Sequence, residues 1–452
     1  MAINRNIFIH DTDRAALATL KAIPGFTLVL KAFMKVWNEK LMYIENTANY
    51  VKASEDQLKK YYDMLPPICE KLGIDVPDLF MALSPTANAY TSGDIKPFIV
   101  ITSGLIETVP EYLIPTVLAH ECGHIACHHV LYQTMGRLIL EGALNYIPIP
   151  GTIAKMAVVE SISSAFAYWM RCSEFSADRA AILCDGTPDK VMEMCARFAG
   201  FDKDIPIEIN MDAFMNQAND YREFIKNNAA NKVMEFLLFR NNSHPLNAIR
   251  ALEAKEWSCT DNFVKAKEYF DSYDAGSTPT ELPIEWNEKH FIGRHYAEVE
   301  TELLDFGFEN VETIRSTEKT RSAKEGNVVG VTIDGSDKFK DAEWYSSQAN
   351  IEVTYYLPLT DEEIIAMHPG ETKLSNSSKY YVGKKYGAVN QEFTQLGFDN
   401  IVLEEIKDIS KTNDKNLGGV TMITIDKIPV FESGEWKSLD SEVKIYYHSM
   451  ID

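Results

Sequence analysis

The segment His120-Glu121-Cys122-Gly123-His124 constrains this chain more than any other. On an α-helix two histidines four residues apart face the same way and lie one turn apart. On such a helix both imidazoles reach one metal ion, and the glutamate beside the first histidine lies next to the open coordination position. That is what a zinc hydrolase needs: two ligands and a general base on one rigid element. The flanks suit a helix. Pro115 fits a first turn, and Val117, Leu118, Ile125, Ala126 and Leu131 supply an apolar face. Gly123 weakens the helix but would let another segment approach the metal side closely. His128, one turn past His124, reads as an extra histidine on the same face, in a core or surface role, because a fourth protein ligand would close the catalytic position.

A zinc ion held by two histidines needs a third protein ligand. Glu174 and Asp178, again four apart, lie on a second helix read from Ile162 to Cys184 and stopped by Asp185-Gly186. One carboxylate can bind the metal while the other hydrogen-bonds a ligand imidazole and fixes its tautomer. Apolar residues before and after this patch mark the helix as largely buried. Cys122 and Cys172 are near the motif in sequence but read as small buried hydrophobes.

The rest of the composition narrows the class. With 452 residues, 46% hydrophobic and 24% charged, the chain is globular and long enough for two or three domains. A net charge of −22 excludes a general nucleic-acid binder and disfavours anionic lipid. Seven cysteines without a Cys-x-x-Cys pair read as reduced thiols. The stretch Met1 to His10 lacks the pattern of a signal peptide. Ala15 to Trp37 reads as one or two amphipathic helices, and Leu138 to Met170 as a helical hairpin packed on the protein. Charges and prolines interrupt both, so no membrane span is expected. These readings together point to the cytoplasm.

Residues 1–285 look mainly helical, as one α+β domain with a small sheet. Ser54 to Leu72 has helical periodicity with a break or kink at Pro66-Pro67. Phe98 to Thr102 is a strand. Met192 to Phe198 and Tyr221 to Phe239 look helical. After Ser277-Thr278-Pro279 a repeat of about 90 residues appears. Gly293-Arg294-His295-Tyr296 matches Gly383-Lys384-Lys385-Tyr386, Gly307-Phe308-Glu309-Asn310-Val311 matches Gly397-Phe398-Asp399-Asn400-Ile401, and Glu343-Trp344 matches Glu435-Trp436. Each unit reads as a helix ended by a glycine, Gly307 or Gly397, and then three strands. The expected modules are 286–360 and 377–452.

Several of these features occur in one order: Asn88-Ala89-Tyr90, Thr102-Ser103-Gly104-Leu105, His120-Glu121-x-x-His124, His129, Glu174-x-x-x-Asp178 and Ser243-His244-Pro245-x-x-x-x-Arg250. Over roughly residues 40–255 this order resembles the HtpX-like and CAAX-prenyl-protease-like zinc metallopeptidases, the gluzincin family numbered forty-eight. The resemblance implies one zinc ion per chain held by His120, His124 and Glu174, with Glu121 as general base. It implies that Asp178 hydrogen-bonds a ligand histidine. His244 is implied as the donor to the oxyanion, with Arg250 as its support. Asn88, Ala89 and Tyr90, with the 98–102 strand, are implied as the edge that pairs with the substrate backbone. Well-known members are membrane-embedded, whereas this chain lacks convincing spans. The repeats resemble PASTA-type modules.

The expectation is a cytoplasmic zinc metalloendopeptidase acting on peptide or protein substrates, with no nucleic-acid partner. The C-terminal modules are expected to recruit substrate or a partner protein. The competing readings are a binding or scaffold protein with a structural metal site, and a membrane-associated processing protease.

Overall fold

The computed structural model describes residues 3–36, 39–93, 95–141, 152–200, 209–226, 246–319 and 324–451. The architecture is mixed α+β, as the sequence implies. The chain divides into two compact units, residues 1–313 with 330–353, and residues 314–329 with 354–452.

The N-terminal part begins with helices α1 (Asp11–Ala22), α2 (Phe26–Val36) and α3 (Glu39–Asn49), followed by strand β1 (Val51–Lys52). The sequence expected one helix through residues 54–72, broken or kinked at Pro66-Pro67. The structure instead has α4 (Lys59–Tyr62) and then α5 (Leu65–Leu72), and the prolines lie in the first turn of α5. A proline there removes an N–H that has no helical partner anyway, so the pair starts a helix and does not break one.

Strands β2 (Asp78–Ala82), β3 (Ala89–Ser92) and β4 (Phe98–Thr102) complete a sheet of order β1-β2-β4-β3. β2 runs parallel to β4, and β3 runs antiparallel to it. β4 is buried along its whole length, which explains its unbroken apolar run. It is therefore an interior strand; the edge is β3, which corrects the reading of 98–102 as part of the substrate edge. Thr102 caps α6 (Ser103–Thr108) by accepting from the Leu105 N–H.

Helix α7 (Ile114–Ala126) carries the histidine motif, followed by α8 (Val130–Leu140). Between them His128 has φ 56°, in the left-handed region. It ends the helix one residue after the Cys127 cap and so does not lie on the ligand face, contrary to the expectation. Helix α9 (Thr152–Asp185) is a 34-residue element against which α1, α7 and α8 pack. The expected hairpin over 138–170 corresponds to the end of α8 and the first half of α9, and residues 142–151 lie outside those described. The apolar core at this end joins Leu20, Phe26, Phe33, Met135, Phe166 and Trp169. Helices α10 (Asp189–Gly200), α11 (Met211–Lys226) and α12 (Asn247–Ser258) close the other side. The helix expected over 221–239 is present up to Lys226, with 227–245 outside the described residues. Among the described residues no helix is long and apolar enough to cross a membrane.

The two repeats share one plan. The helices Tyr296–Phe306 and Tyr386–Gln395 are followed by Gly307 at φ 119° and, one residue past the cap, Gly397 at φ 94°. A left-handed glycine there lets the chain turn back into a sheet. The expected three strands form sheets with the same order: 310–316, 350–356, 328–333 in the first, and 401–409, 443–450, 420–425 in the second. A short fourth strand was not expected. Trp344–Ser346 pairs with Glu281–Pro283, and Trp436–Ser438 pairs with Glu371–Lys373. Three residues are too few to show an alternating pattern in sequence.

Candidate active site

Helix α7 presents His120, Glu121 and His124 to one cleft, and all three side chains are buried. The cleft has a volume of about 670 Å³ and is also lined by β3, α8, α9 and α12. Gly123 decides how close α9 comes. A Cβ at that position would lie 2.8 Å from Ala180 Cβ and 3.1 Å from Ala177 Cα. The missing side chain thus lets α9 bring Glu174 against the two imidazoles.

His120 Nε2 is 3.4 Å from Glu174 Oε2, and His124 Nε2 is 3.5 Å from Glu174 Oε1. His120, His124 and Glu174 form a group whose donor atoms all lie within 4.8 Å of one another. Ligands about 2.1 Å from a tetrahedral zinc are separated by about 3.4 Å, so the donor set fits that ion in size as well as in chemistry.

Each imidazole is oriented from behind. His120 Nδ1–H donates to Asp178 Oδ1 at 2.9 Å. Arg250 holds the same carboxylate with two donors, Nε to Oδ2 at 2.7 Å and Nη2 to Oδ1 at 2.5 Å. Burial disfavours charge on His120, but its hydrogen bonds to Asp178 and Glu174 prevail and push it up to about 9. Burial likewise favours neutral Glu174, yet the two histidines and Arg250 hold its carboxyl well below the ordinary value. Burial lowers His124.

Behind His124 there is a second, longer chain. His124 Nδ1 lies 3.1 Å from His129 Nδ1, and His129 Nε2 lies 2.9 Å from Asp13 Oδ2. His129 Nδ1 and the Gln133 side-chain amide, 3.0 Å away, both contact His124 Nδ1, so Nε2 is the ring nitrogen that faces Glu174 and the cleft. Asp13 also accepts from Ser176 Oγ at 2.6 Å and Trp169 Nε1 at 2.8 Å. Burial alone would raise its carboxyl, but His129, Ser176 and Trp169 pull it down to about 2.

Glu121 is held by the sheet. Thr91 Oγ1, on β3, donates to Glu121 Oε2 at 2.7 Å. Asn88, Ala89 and Tyr90 line the cleft just before it. Cys122 points away, its Sγ 3.9 Å from Cys69 Sγ, and this neighbour and burial push the thiol well above its ordinary value. Cys172 is buried in the apolar core. All seven cysteines are free thiols.

The structure thus brings His120, His124, Glu121, Glu174, Asp178, Arg250 and Asn88 to Tyr90 to one cleft. Arg250 lies behind His120, on Asp178, the group that orients the imidazole, and its Nη1 is also 3.4 Å from Glu174 Oε2. His244 lies outside the described residues. Sequence reasoning missed Asp13 and Thr91. Thr91 directly follows the Asn88-Ala89-Tyr90 segment and could have been noted. Asp13 sits in the first turn of an amphipathic helix and carries no short-range signal.

Comparison with known proteins bears on this site. The profile of peptidase family M48 matches residues 63–258. The chain is 33% identical over 262 residues to the plastoglobule-localized metallopeptidase 48, chloroplastic, of Arabidopsis thaliana, an alignment covering 56% of this chain and 72% of that one. It is 22% identical over 193 residues to a protease HtpX homolog of Trichormus variabilis, covering 35% of this chain and 63% of the relative, which is less than two thirds of its length. Among solved structures, S. mikatae Ste24p matches with a TM-score of 0.26 and 16% identity, covering 54% of this chain and 65% of that chain. A three-PASTA-domain fragment of a Staphylococcus aureus Ser/Thr kinase matches with a TM-score of 0.15 and 15% identity, covering 37% and 68%.

Proposed function

The chain belongs to peptidase family M48 and is a metallopeptidase, and from that membership we propose that it is a zinc-dependent endopeptidase in which Glu121 is the general base. The observation that carries the reading is the donor set of His120, His124 and Glu174 with Glu121 beside it in one cleft. Three protein donors among the described residues favour an open, catalytic site over a closed structural one.

A zinc ion bound there supplies an acidified water and a Lewis acid for the substrate carbonyl. The protein's own residues do the rest. Glu121, fixed by the Thr91 hydroxyl, takes the proton of the attacking water and passes it to the leaving amine. Asp178 and Arg250 keep His120 in the tautomer that presents Nε2, and His129 with Asp13 does the same for His124. His244, on the strength of its motif, stabilises the negative charge that develops on the carbonyl oxygen. The outward backbone groups of β3 around Ala89 bind an extended substrate by adding a strand.

In this reading the peptidase domain spans about residues 1–285 and the modules 286–360 and 377–452 recruit a protein substrate or partner. The free thiols accord with a reducing compartment such as the cytoplasm. The test is a peptide-library or casein digest by the zinc-loaded chain and by Glu121→Gln. The expected result is at least about a thousandfold loss of kcat in Glu121→Gln, with zinc content and thermal melting retained. Full activity in that variant would sink the mechanism.

A further inference from the structure

Among the described residues, the cleft contains one cation that the proposed chemistry does not use. Arg137, on α8, lines the cleft and is partly exposed to it. Arg250, the other arginine of the lining, is neutralised by Asp178. Arg137 donates one N–H, from Nη2 to the Thr91 carbonyl at 2.5 Å, and its guanidinium lies 5.4 Å from the centre of the Tyr90 ring. Among the described residues no carboxylate stands within ion-pair distance of it. Glu121 is held by Thr91, Glu174 faces the histidines and Arg250, and Glu141, one helical turn on, is exposed. Burial draws the guanidinium below its ordinary value, against the fields of Glu121, Tyr90 and Glu141. A half-buried cation with spare donors and no counter-ion is a receptor for an anion.

The backbone says where that anion would lie. The Thr102 N–H donates to the Asn88 carbonyl, so Asn88 and Thr102 form a hydrogen-bonded pair. The antiparallel register then turns the N–H and C=O of Ala89 and Thr91 away from β4, toward the free edge. Ala89 keeps both groups free for a substrate strand. At Thr91 the carbonyl is already taken by Arg137, so the added ladder loses its acceptor there. Thr91 also holds Glu121 with its hydroxyl, which joins the base and the arginine through one residue.

We propose that Arg137 is a carboxylate-binding subsite: it captures a substrate carboxylate about two residues along the strand from the position paired with Ala89. That carboxylate is either an acidic side chain or the free C-terminus of the peptide. The inference rests on the endopeptidase reading, because the substrate is taken to lie along β3.

Two peptide series test it. One replaces Glu by Gln at successive positions around the cleaved bond. The other compares each peptide as free acid and as C-terminal amide. Cleavage is measured with the zinc-loaded wild type, and binding by fluorescence anisotropy with zinc-loaded Glu121→Gln. The expected result is about a tenfold or greater preference for one carboxylate form, expressed in KM and in binding. A preference confined to the Glu/Gln series assigns the subsite to a side chain, and one confined to the acid/amide series assigns it to the C-terminus. Arg137→Gln should bring the ratio to about one, and Arg137→Lys should restore part of it. Cleavage by wild type with no preference in either series overturns the subsite and leaves the peptidase reading standing. A preference that survives in folded Arg137→Gln also overturns it. Selective binding without any cleavage supports the subsite and removes the peptidase reading. The wild-type comparison decides the matter even if Arg137→Gln fails to fold.

Discussion

Asp13 reaches His124 through a single histidine, although it lies on the first helix of the chain. Its carboxyl is held at about 2 against an ordinary 3.8. A depressed carboxyl stabilises the fold above its unfolded value and loses that contribution as pH falls through its folded value. The contribution is about 2 kcal/mol, present above pH 3.8 and lost between there and about pH 2. Urea unfolding of wild type should therefore weaken steeply over that interval. Asp13→Asn should be about 2 kcal/mol less stable at neutral pH and should lose this part of the slope. Equal slopes in the two proteins would show that Asp13 is not the titrating group.

At the scale of elements, the contact between α7 and α9 turns a motif into a site. Alanine is the better helix former by about 1 kcal/mol, so Gly123→Ala on an isolated helix would stabilise. In the folded chain the new Cβ meets Ala180 at 2.8 Å and α9 backbone at 3.1 Å, which forces the helices apart. Overpacking costs about 1–3 kcal/mol, so the net sign is expected to be destabilising. Glu174 moves with α9, so zinc affinity should fall as well. Thermal melting and a zinc titration of Gly123→Ala check both. A variant that melts no lower and binds zinc as wild type would show that α9 yields without cost.

For the whole molecule, the N-terminus shares a unit with residues 286–313 and 330–353 of the first repeat, with consequences for any truncation. Asn6 donates to the Ile284 carbonyl and to Asp341, and Arg14 pairs with Asp341. These contacts bear on the segment that leads into α1 and Asp13. Removing residues 286–452 deletes Asp341 and should lower the melting temperature of the peptidase part by several degrees, about 1–2 kcal/mol. Removing 361–452 keeps all three contacts and is expected to leave peptide cleavage intact. If the second module recruits protein substrates, casein turnover should fall in that shorter chain while peptide turnover does not. Unchanged turnover of both would exclude recruitment by the second module.

How far the sequence carried depended on the range of the interaction. Residues four apart on one helix meet by backbone geometry alone. His120 with His124 and Glu174 with Asp178 were legible for that reason, as were the β4 strand and the glycine-ended repeat helices. Pro66-Pro67 and His128 were misread because a helix start and a left-handed stop depend on the neighbouring turns. The interior position of β4, the approach of α9 over Gly123, the hold of Thr91 on Glu121 and the chain from Asp13 to His124 could be found only in the tertiary structure. They join residues with no fixed spacing in sequence, and only the packing of α1, α7, α9 and the sheet brings them within hydrogen-bond distance. The chain thus specifies by itself which groups can do chemistry on a metal; the fold decides which of them are oriented, by what partners, and what the cleft beside them can bind.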